Sequence, residues 1–141
     1  MGVREDAWDA VGAGRGERRG ESDFHCLDAE VEDGMRAAVD AAKEAGDTLG
    51  GVFEIRAMGL PPGLGEYSNP AERLTARLGG ALFSIPAIKG VEVGLGFEVA
   101  RRPGSEAHDA ILPTSEGAWG GFTRETNRAG GLEGGMTTGA E

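Results

Sequence analysis

The last third of the sequence carries the residues whose types best suit the binding of an anion. Glycine recurs throughout residues 127–139. Without a Cβ, successive backbone N–H groups can approach a ligand closely and form a nest around it. No Gly-Lys-Ser/Thr follows these glycines, so the segment is not a P-loop. Tight packing and plain flexibility are the alternative interpretations, and the pattern alone leaves the choice open.

Basic side chains lie before this glycine-rich segment and at its start. They could gather positive potential for a phosphate in a chain whose formal net charge is −10. For each of them a solvated surface position is an equal alternative. The residues are Lys89, Arg101, Arg102, Arg124 and Arg128.

Histidine is scarce, with only His25 and His108 in the chain. Cys26 adjoins the first of them, but a zinc site needs roughly three or four ligands at defined spacings, so we expect no metal. The pair His108 and Asp109 has the form of an oriented general base, although a loop hydrogen bond is the interpretation that such a pair favours. No Ser/His/Asp constellation follows from the linear sequence, and we assign no catalytic residue.

Two helices are predicted upstream of the glycine-rich segment. Apolar residues recur at helical spacing over residues 28–45, and Gly46 is typical of a C-terminal cap. Asn69 then precedes Pro70 at a first helical position, which predicts a second helix as far as about Phe83.

Strands are predicted around these helices. Residues 52–58 alternate apolar and charged side chains, which predicts a strand with one face in a core. The prolines and glycines of residues 59–65 require a shaped loop. Short strands are expected at residues 91–93 and 121–126. Alternating helices and strands favour a mixed α+β class with antiparallel pairing possible.

Composition limits the partners and the compartment. The excess of acidic residues disfavours nucleic acid or an anionic membrane surface. No apolar run is long enough to span a bilayer or form a signal peptide, and the single cysteine fits a reducing compartment, so we expect a soluble cytoplasmic protein. Residues 1–21 lack a periodic apolar face and are expected to form a flexible tail before a domain of residues 22–141.

Five strings, taken in order, resemble the middle of chorismate synthase. They are long and unusual in composition, and the resemblance covers residues 22–141, approximately. The strings are Gly-Asp-Thr-Leu-Gly-Gly at 46–51, Gly-Leu-Pro-Pro-Gly-Leu-Gly at 59–65, Ser-Ile-Pro-Ala-Ile-Lys-Gly-Val-Glu-Val-Gly at 84–94, Arg-Pro-Gly-Ser-Glu at 102–106, and residues 126–139.

The resemblance implies a function and a fold. The family converts 5-enolpyruvylshikimate 3-phosphate to chorismate by an anti 1,4-elimination of phosphate and a ring proton. It requires reduced FMN without net redox change, is associated with NADP, and forms homotetramers. The fold implied is part of a β-α-β sandwich with two main helices and several short strands. The glycine-rich segment would then help to wall a flavin and a phosphate.

The resemblance also transfers three site residues. The family's flavin-contacting pair falls on Pro86 and Ala87, and a flavin-contacting glycine falls on Gly134. Pro86 stands where the family often has a polar amide residue, so only a backbone or van der Waals contact carries over. Thr138 replaces the usual asparagine of the closing Thr-Asn-Gly.

The family's acid–base motifs have no counterpart in this sequence. Its Gly-Glu-Ser-His-Gly and Ser-Ala-Arg-Glu-Thr motifs and its downstream Lys-Pro motif are not matched. We therefore expect an internal part of the enzyme that is inactive as a lone polypeptide. The alternative, from a different class, is a non-catalytic remnant that binds flavin weakly or docks onto an intact subunit; a product that folds poorly is a third possibility.

Overall fold

A computed structural model of the chain describes residues 20–115 and 120–141. They divide into two compact units, with the boundary between Glu54 and Ile55. The flexible tail expected at residues 1–21 lies outside the described residues except for Gly20 and Glu21, which are helical.

The described part of the first unit contains a long helix, α1 (Ala29–Ala45), and its ends follow from the sequence. The Asp28 side chain caps the N-terminus by accepting from the amides of Glu30 and Val31. Gly46 ends the helix in the left-handed region, with φ of 66°, where a residue with a Cβ would be strained. The predicted helix is confirmed at both ends.

Few apolar side chains are buried among residues 20–54 of the first unit. The buried hydrophobic residues of this range are Cys26 and Leu27, and the Ser22 hydroxyl accepts a hydrogen bond from the Cys26 amide at 2.9 Å. On α1 the Arg36 guanidinium bonds to Glu32 at 3.2 Å, and it lies 5.8 Å from the centroid of the Phe24 ring. In the described part of this unit, α1 and the turn that precedes it therefore bury very few apolar side chains.

The strand predicted at residues 52–58 is not formed. Those residues carry no regular secondary structure, and Val52 is 89% exposed. A strand needs a neighbouring strand to receive its backbone groups and a second layer to cover its apolar face. The described residues pair no strand with this segment, so alternation alone did not suffice.

The second unit begins with a loop and a helix in two parts. Asn69 caps a 3-10 turn, Pro70–Glu72, by accepting from the Ala71 amide. Arg73 then leaves helical geometry, and α2 (Leu74–Phe83) follows. The predicted second helix is confirmed with a break at Arg73. A 3-10 turn, Gly96–Arg101, and a short helix, α3 (Gly104–Ala107), continue the chain.

Two small antiparallel sheets complete the second unit. Strands β1 (Ile111–Pro113) and β2 (Phe122–Arg124) pair with Ile111 opposite Arg124. Strands β3 (Leu132–Glu133) and β4 (Met136–Thr137) form the other sheet. The strand predicted at residues 121–126 is confirmed as β2. Residues 91–93 form no strand; they lead into a turn at Gly94.

The architecture agrees with the α+β class, two main helices and several short strands that the sequence predicts. Among residues 20–115 and 120–141, no helix is long and apolar enough to cross a bilayer.

Replacing Asp28 should test the start of α1. We expect Asp28→Ala to destabilise the helix by about 1 kcal/mol, because the amides of Glu30 and Val31 lose their acceptor. Amide hydrogen exchange of these two residues measures the effect. The matched control Asp28→Asn keeps a capping oxygen and should exchange nearly as the parent does; equal exchange in all three proteins would refute the cap.

Candidate functional site

The candidate site centres on the glycine hairpin, which we define as residues 132–137. Gly134 and Gly135 join β3 to β4 with φ of 59° and 90°. Both angles are positive, as in the type I′ turn that matches the twist of a two-residue hairpin. Side chains at both positions would be strained, so glycine is what allows this turn.

The two turn glycines face different surroundings. A Cβ added to Gly135 would lie 2.5 Å from Arg73 Cγ and 2.6 Å from the Glu66 carbonyl oxygen, so this position is packed against the protein. Its carbonyl accepts from the Leu74 amide at 2.8 Å, which satisfies one free donor at the start of α2. A Cβ on Gly134 would meet nothing within 4 Å. A ligand can therefore approach the backbone at Gly134.

Thr137 fastens the hairpin to the proline-rich loop of residues 59–65. Its buried hydroxyl donates to the Pro61 carbonyl at 2.5 Å and accepts from the Leu64 amide at 2.9 Å. The Thr137 carbonyl also accepts from the Gly63 amide at 2.8 Å. These bonds turn two segments without much secondary structure into one rigid piece.

Asp109 organises the segment just before the hairpin. Its buried carboxylate accepts from the Thr126 hydroxyl at 2.5 Å, the Arg128 amide at 2.8 Å and the Ala129 amide at 2.9 Å. Burial raises the pKa of Asp109, but these hydrogen bonds and the nearby Arg124 guanidinium lower it more, and the resulting pKa lies below the usual 3.8. The group is therefore an ionised acceptor at neutral pH.

The general-base pairing considered for His108 and Asp109 is not formed. The carboxylate is committed to the three donors of residues 126–129, and no hydrogen bond joins it to the imidazole in the described part of the chain. The His108 carbonyl accepts instead from the Arg128 guanidinium at 3.2 Å. Asp109 therefore orders residues 126–129, a structural role that its position next to His108 did not indicate.

The flanking arginines bind partners within the chain. Arg101 and Arg102 both pair with Glu98, at 3.0 Å and 3.5 Å. Arg124 pairs with Glu133 at 2.7 Å. The Arg128 guanidinium bonds to backbone carbonyls. Lys89 has no ion pair with any described residue. Most of the basic side chains that could bind a phosphate therefore pair with groups of the chain itself.

The turn after α2 holds the other two predicted contact residues, Pro86 and Ala87. Ala87 has φ of 71°, an uncommon and strained angle for a residue with a Cβ. Such strain persists only where surrounding structure imposes it, and it is frequent at ligand sites. The positive φ falls on a residue that the resemblance had implied as a flavin contact.

The string that contains this turn packs onto the glycine-rich segment at Gly94. A Cβ there would overlap the backbone of Arg128, Ala129 and Gly130, and the Leu95 amide donates to the Arg128 carbonyl at 2.8 Å. The two predicted flavin-contacting strings therefore meet backbone to backbone. No hydrogen bond directly joins Pro86 or Ala87 to Gly134 among the described residues.

A cleft of about 700 Å³ lies beside β2 and residues 138–140. The lining contains none of the three predicted contact residues; it includes Phe122, Arg124, Asn127 and Thr138. In residues 20–115 and 120–141, no group of three His, Cys, Asp or Glu side chains is placed to hold a metal.

The sequence did not reveal Asp109 and Thr137 as organising residues. Their partners lie 17 to 20 and 73 to 76 positions away along the chain, so no local pattern pointed to them. The positive φ of Ala87 also has no signal in the sequence, since alanine rarely adopts it.

Comparison with known proteins places these features in a family. The family model described as chorismate synthase matches residues 7–141, so the match begins before residue 22, where the resemblance of the sequence was expected to begin. Chorismate synthase 2 of Bacillus cereus is 54% identical over 118 residues, covering 84% of this chain and 30% of the relative. The Kocuria rhizophila chorismate synthase is 59% identical over 116 residues, covering 82% and 27%.

A solved structure agrees with the sequence relatives. A crystal structure of chorismate synthase superposes with a TM-score of 0.80 at 45% identity, covering 88% of this chain and 36% of that one. The chain spans about 30% of the length of the relatives it matches.

The lowered pKa of Asp109 gives a pH dependence with a definite sign. The ionised Asp109 carboxylate should stabilise the folded state fully above the ordinary carboxyl pKa of about 4. This contribution to stability should be lost as pH falls through the lower pKa of Asp109 in the folded state. Chemical shifts of the Arg128 and Ala129 amides should therefore titrate with a midpoint below 3.8. NMR spectra recorded from neutral to acidic pH measure this.

The control for that titration is Asp109→Asn. The variant lacks the ionisable group and turns an NH₂ toward a donor, which costs about 1–3 kcal/mol of stability. The chemical shifts of its Arg128 and Ala129 amides should therefore differ from those of the parent and should not titrate. Asp47→Asn, at an exposed residue, should behave as the parent does. A midpoint at or above the ordinary value, or a titration that persists in Asp109→Asn, would contradict the assignment.

Proposed function

Because this chain belongs to the chorismate synthase family, we propose that it forms the flavin-contacting part of a lyase site. The reaction is the anti 1,4-elimination of phosphate from 5-enolpyruvylshikimate 3-phosphate to give chorismate. The observation that carries the proposal is the open backbone at Gly134, held in a rigid hairpin by Thr137 and Leu74.

The residues present fit a flavin. A planar, apolar ring system is bound by backbone and van der Waals contact at close range, and an uncrowded glycine allows that approach. Gly134 offers this open position, and Ala87 is held in a strained turn. Pro86, Ala87 and Gly134 would hold FMN in its reduced form. When bound, the flavin supplies electron density as the C–O bond breaks.

The chain's own groups in this site orient a ligand and do not transfer protons. Asp109 is buried, ionised and engaged in three hydrogen bonds. Arg124 and Arg128 are tied to internal partners. None of these groups is free to protonate a leaving phosphate. We therefore propose that a polypeptide of these residues alone binds flavin without turnover, in a reducing cytoplasmic compartment suited to the free thiol of Cys26.

Docking onto other subunits is the second candidate function. Exposed apolar side chains favour it: in the second unit Met58 is 76% exposed and Phe97 72%. Contiguous apolar surface marks interaction sites in folded proteins, and an interface with another subunit would cover these side chains. The proposed partners are further copies of the family's chain, which would form a homotetramer.

An anaerobic titration of FMN tests the first proposal. We expect the 141-residue chain to bind reduced FMN and to form no chorismate when 5-enolpyruvylshikimate 3-phosphate is added. Flavin absorbance and chorismate absorbance are the two measurements. Failure to bind either flavin form would overturn the flavin site, and chorismate formation would overturn the claim that no turnover occurs.

Sedimentation velocity on the chain, without flavin, tests whether it docks onto another subunit. The chain is mixed with the Geobacter sulfurreducens chorismate synthase, which is 53% identical over 124 residues. Co-sedimentation by a chain that binds no flavin when it is alone would favour docking as the function. Flavin binding by a chain that sediments alone would favour the flavin site.

Gly134→Ala tests the contact itself. The added methyl group meets no protein atom within 4 Å, so it should cost only about 1–2 kcal/mol of backbone strain while it obstructs the ligand. We expect the affinity for reduced FMN to fall by about tenfold or more, read from flavin absorbance under anaerobic conditions. The matched control Gly59→Ala places a methyl at φ of 76° in equally open space. Equal loss of affinity in both variants would contradict a contact at Gly134.

A further inference from the structure

An ion pair connects the two small sheets of the second unit. Arg124 ends β2, and its Nη2 donates to Glu133 Oε2 on β3 at 2.7 Å. The Arg124 side chain is 15% exposed and that of Glu133 39%. A short charge-assisted bond that is partly shielded from water is stronger than an exposed pair on the surface. It is therefore suited to fix one strand against the other.

Glu133 is the residue that immediately precedes the open turn. On the far side of the turn, Gly135 is held by the Leu74 amide and packed on Arg73. Arg124 holds the near side through Glu133. Gly134 lies between these two fixed points, and no described side chain covers it. The direction in which the Gly134 backbone faces thus depends on both attachments.

Arg124 is also shared with a second carboxylate. It contributes favourably to the ionised form of Asp109, which orders residues 126–129. Its other terminal nitrogen, Nη1, is buried without a hydrogen-bond partner in the described part of the chain. A guanidinium kept in place with one unsatisfied nitrogen costs free energy, which its two carboxylate interactions offset.

We propose that Arg124 is a positioning residue that acts through Glu133 to set the Gly134 backbone for flavin contact. The inference rests on the flavin site proposed above and adds a specific side chain to it. Arg124 does not touch the flavin in this scheme. Its role is to join the sheet of β1 and β2 to the glycine hairpin, so that the segment ordered by Asp109 and the turn that meets the ligand move as one piece.

The main test variant is Glu133→Gln, because it breaks the ion pair without removing the cation near Asp109. We expect reduced FMN to bind about fivefold more weakly, measured by anaerobic flavin absorbance on the full chain. Arg124→Lys keeps a positive charge within reach of Glu133 and should retain most of the parent's affinity for FMN. Arg124→Gln removes the charge and should lose affinity as Glu133→Gln does. Glu98→Gln is the matched control, since it removes the exposed pairs with Arg101 and Arg102 and should leave affinity within about twofold.

A second readout does not depend on flavin. The Leu74 amide bonds to the Gly135 carbonyl, so its hydrogen exchange reports the state of the turn. We expect exchange about threefold faster in Glu133→Gln and unchanged in Glu98→Gln. If the parent chain binds no FMN, the flavin proposal fails, and faster Leu74 exchange would still support the positioning role. Unchanged exchange in Glu133→Gln, or equal losses of affinity in Glu133→Gln and Glu98→Gln, would overturn it.

Discussion

The buried carboxylate of Asp109 is the interaction on which the second unit most depends. Residues 126–131 contain too few large side chains to hold a shape by packing, and an ionised acceptor with three donors replaces that packing. Once Arg128 and Ala129 are fixed, Gly130 can lie against Gly94, and the string that carries Ala87 is joined to the hairpin. A neutral acceptor would bind the same donors more weakly, which is why the charge matters.

Glycine explains how so little apolar burial can still give defined geometry. Where Gly94 meets Gly130 and where Gly135 meets the Glu66 carbonyl, backbones approach to distances that any Cβ would prevent. Each approach restricts the chain as a packed side chain would, although glycine gives up more conformational entropy on folding. The hydrogen bonds of Thr137 and Asp109 offset part of that loss. The result is a site made mainly from main-chain atoms.

Local signals in the sequence were sufficient for the helices and insufficient for the sheets. The capping residues Asp28, Gly46 and Asn69 act within a few positions of themselves, and the structure confirms the helices they delimit. The strand expected at residues 52–58 needed neighbours that alternation cannot supply. Motif resemblance selected Ala87 and Gly134, and their φ angles agree with positions of unusual backbone. The long-range role of Asp109 had no local signal, because its donors are far along the chain.

The closing turn shows why a departure from a family pattern need not change the backbone. Thr138 stands where the family usually has asparagine, yet its amide donates to the Gly131 carbonyl at 2.9 Å and its hydroxyl accepts from the Ala140 amide at 3.3 Å. A threonine hydroxyl can make the short local bond to a backbone N–H that an asparagine side chain makes in such turns. Gly139 supplies the positive φ of 87° that follows. The turn therefore depends on an oxygen at a given distance from the backbone and on the glycine after it, and both conditions are met here.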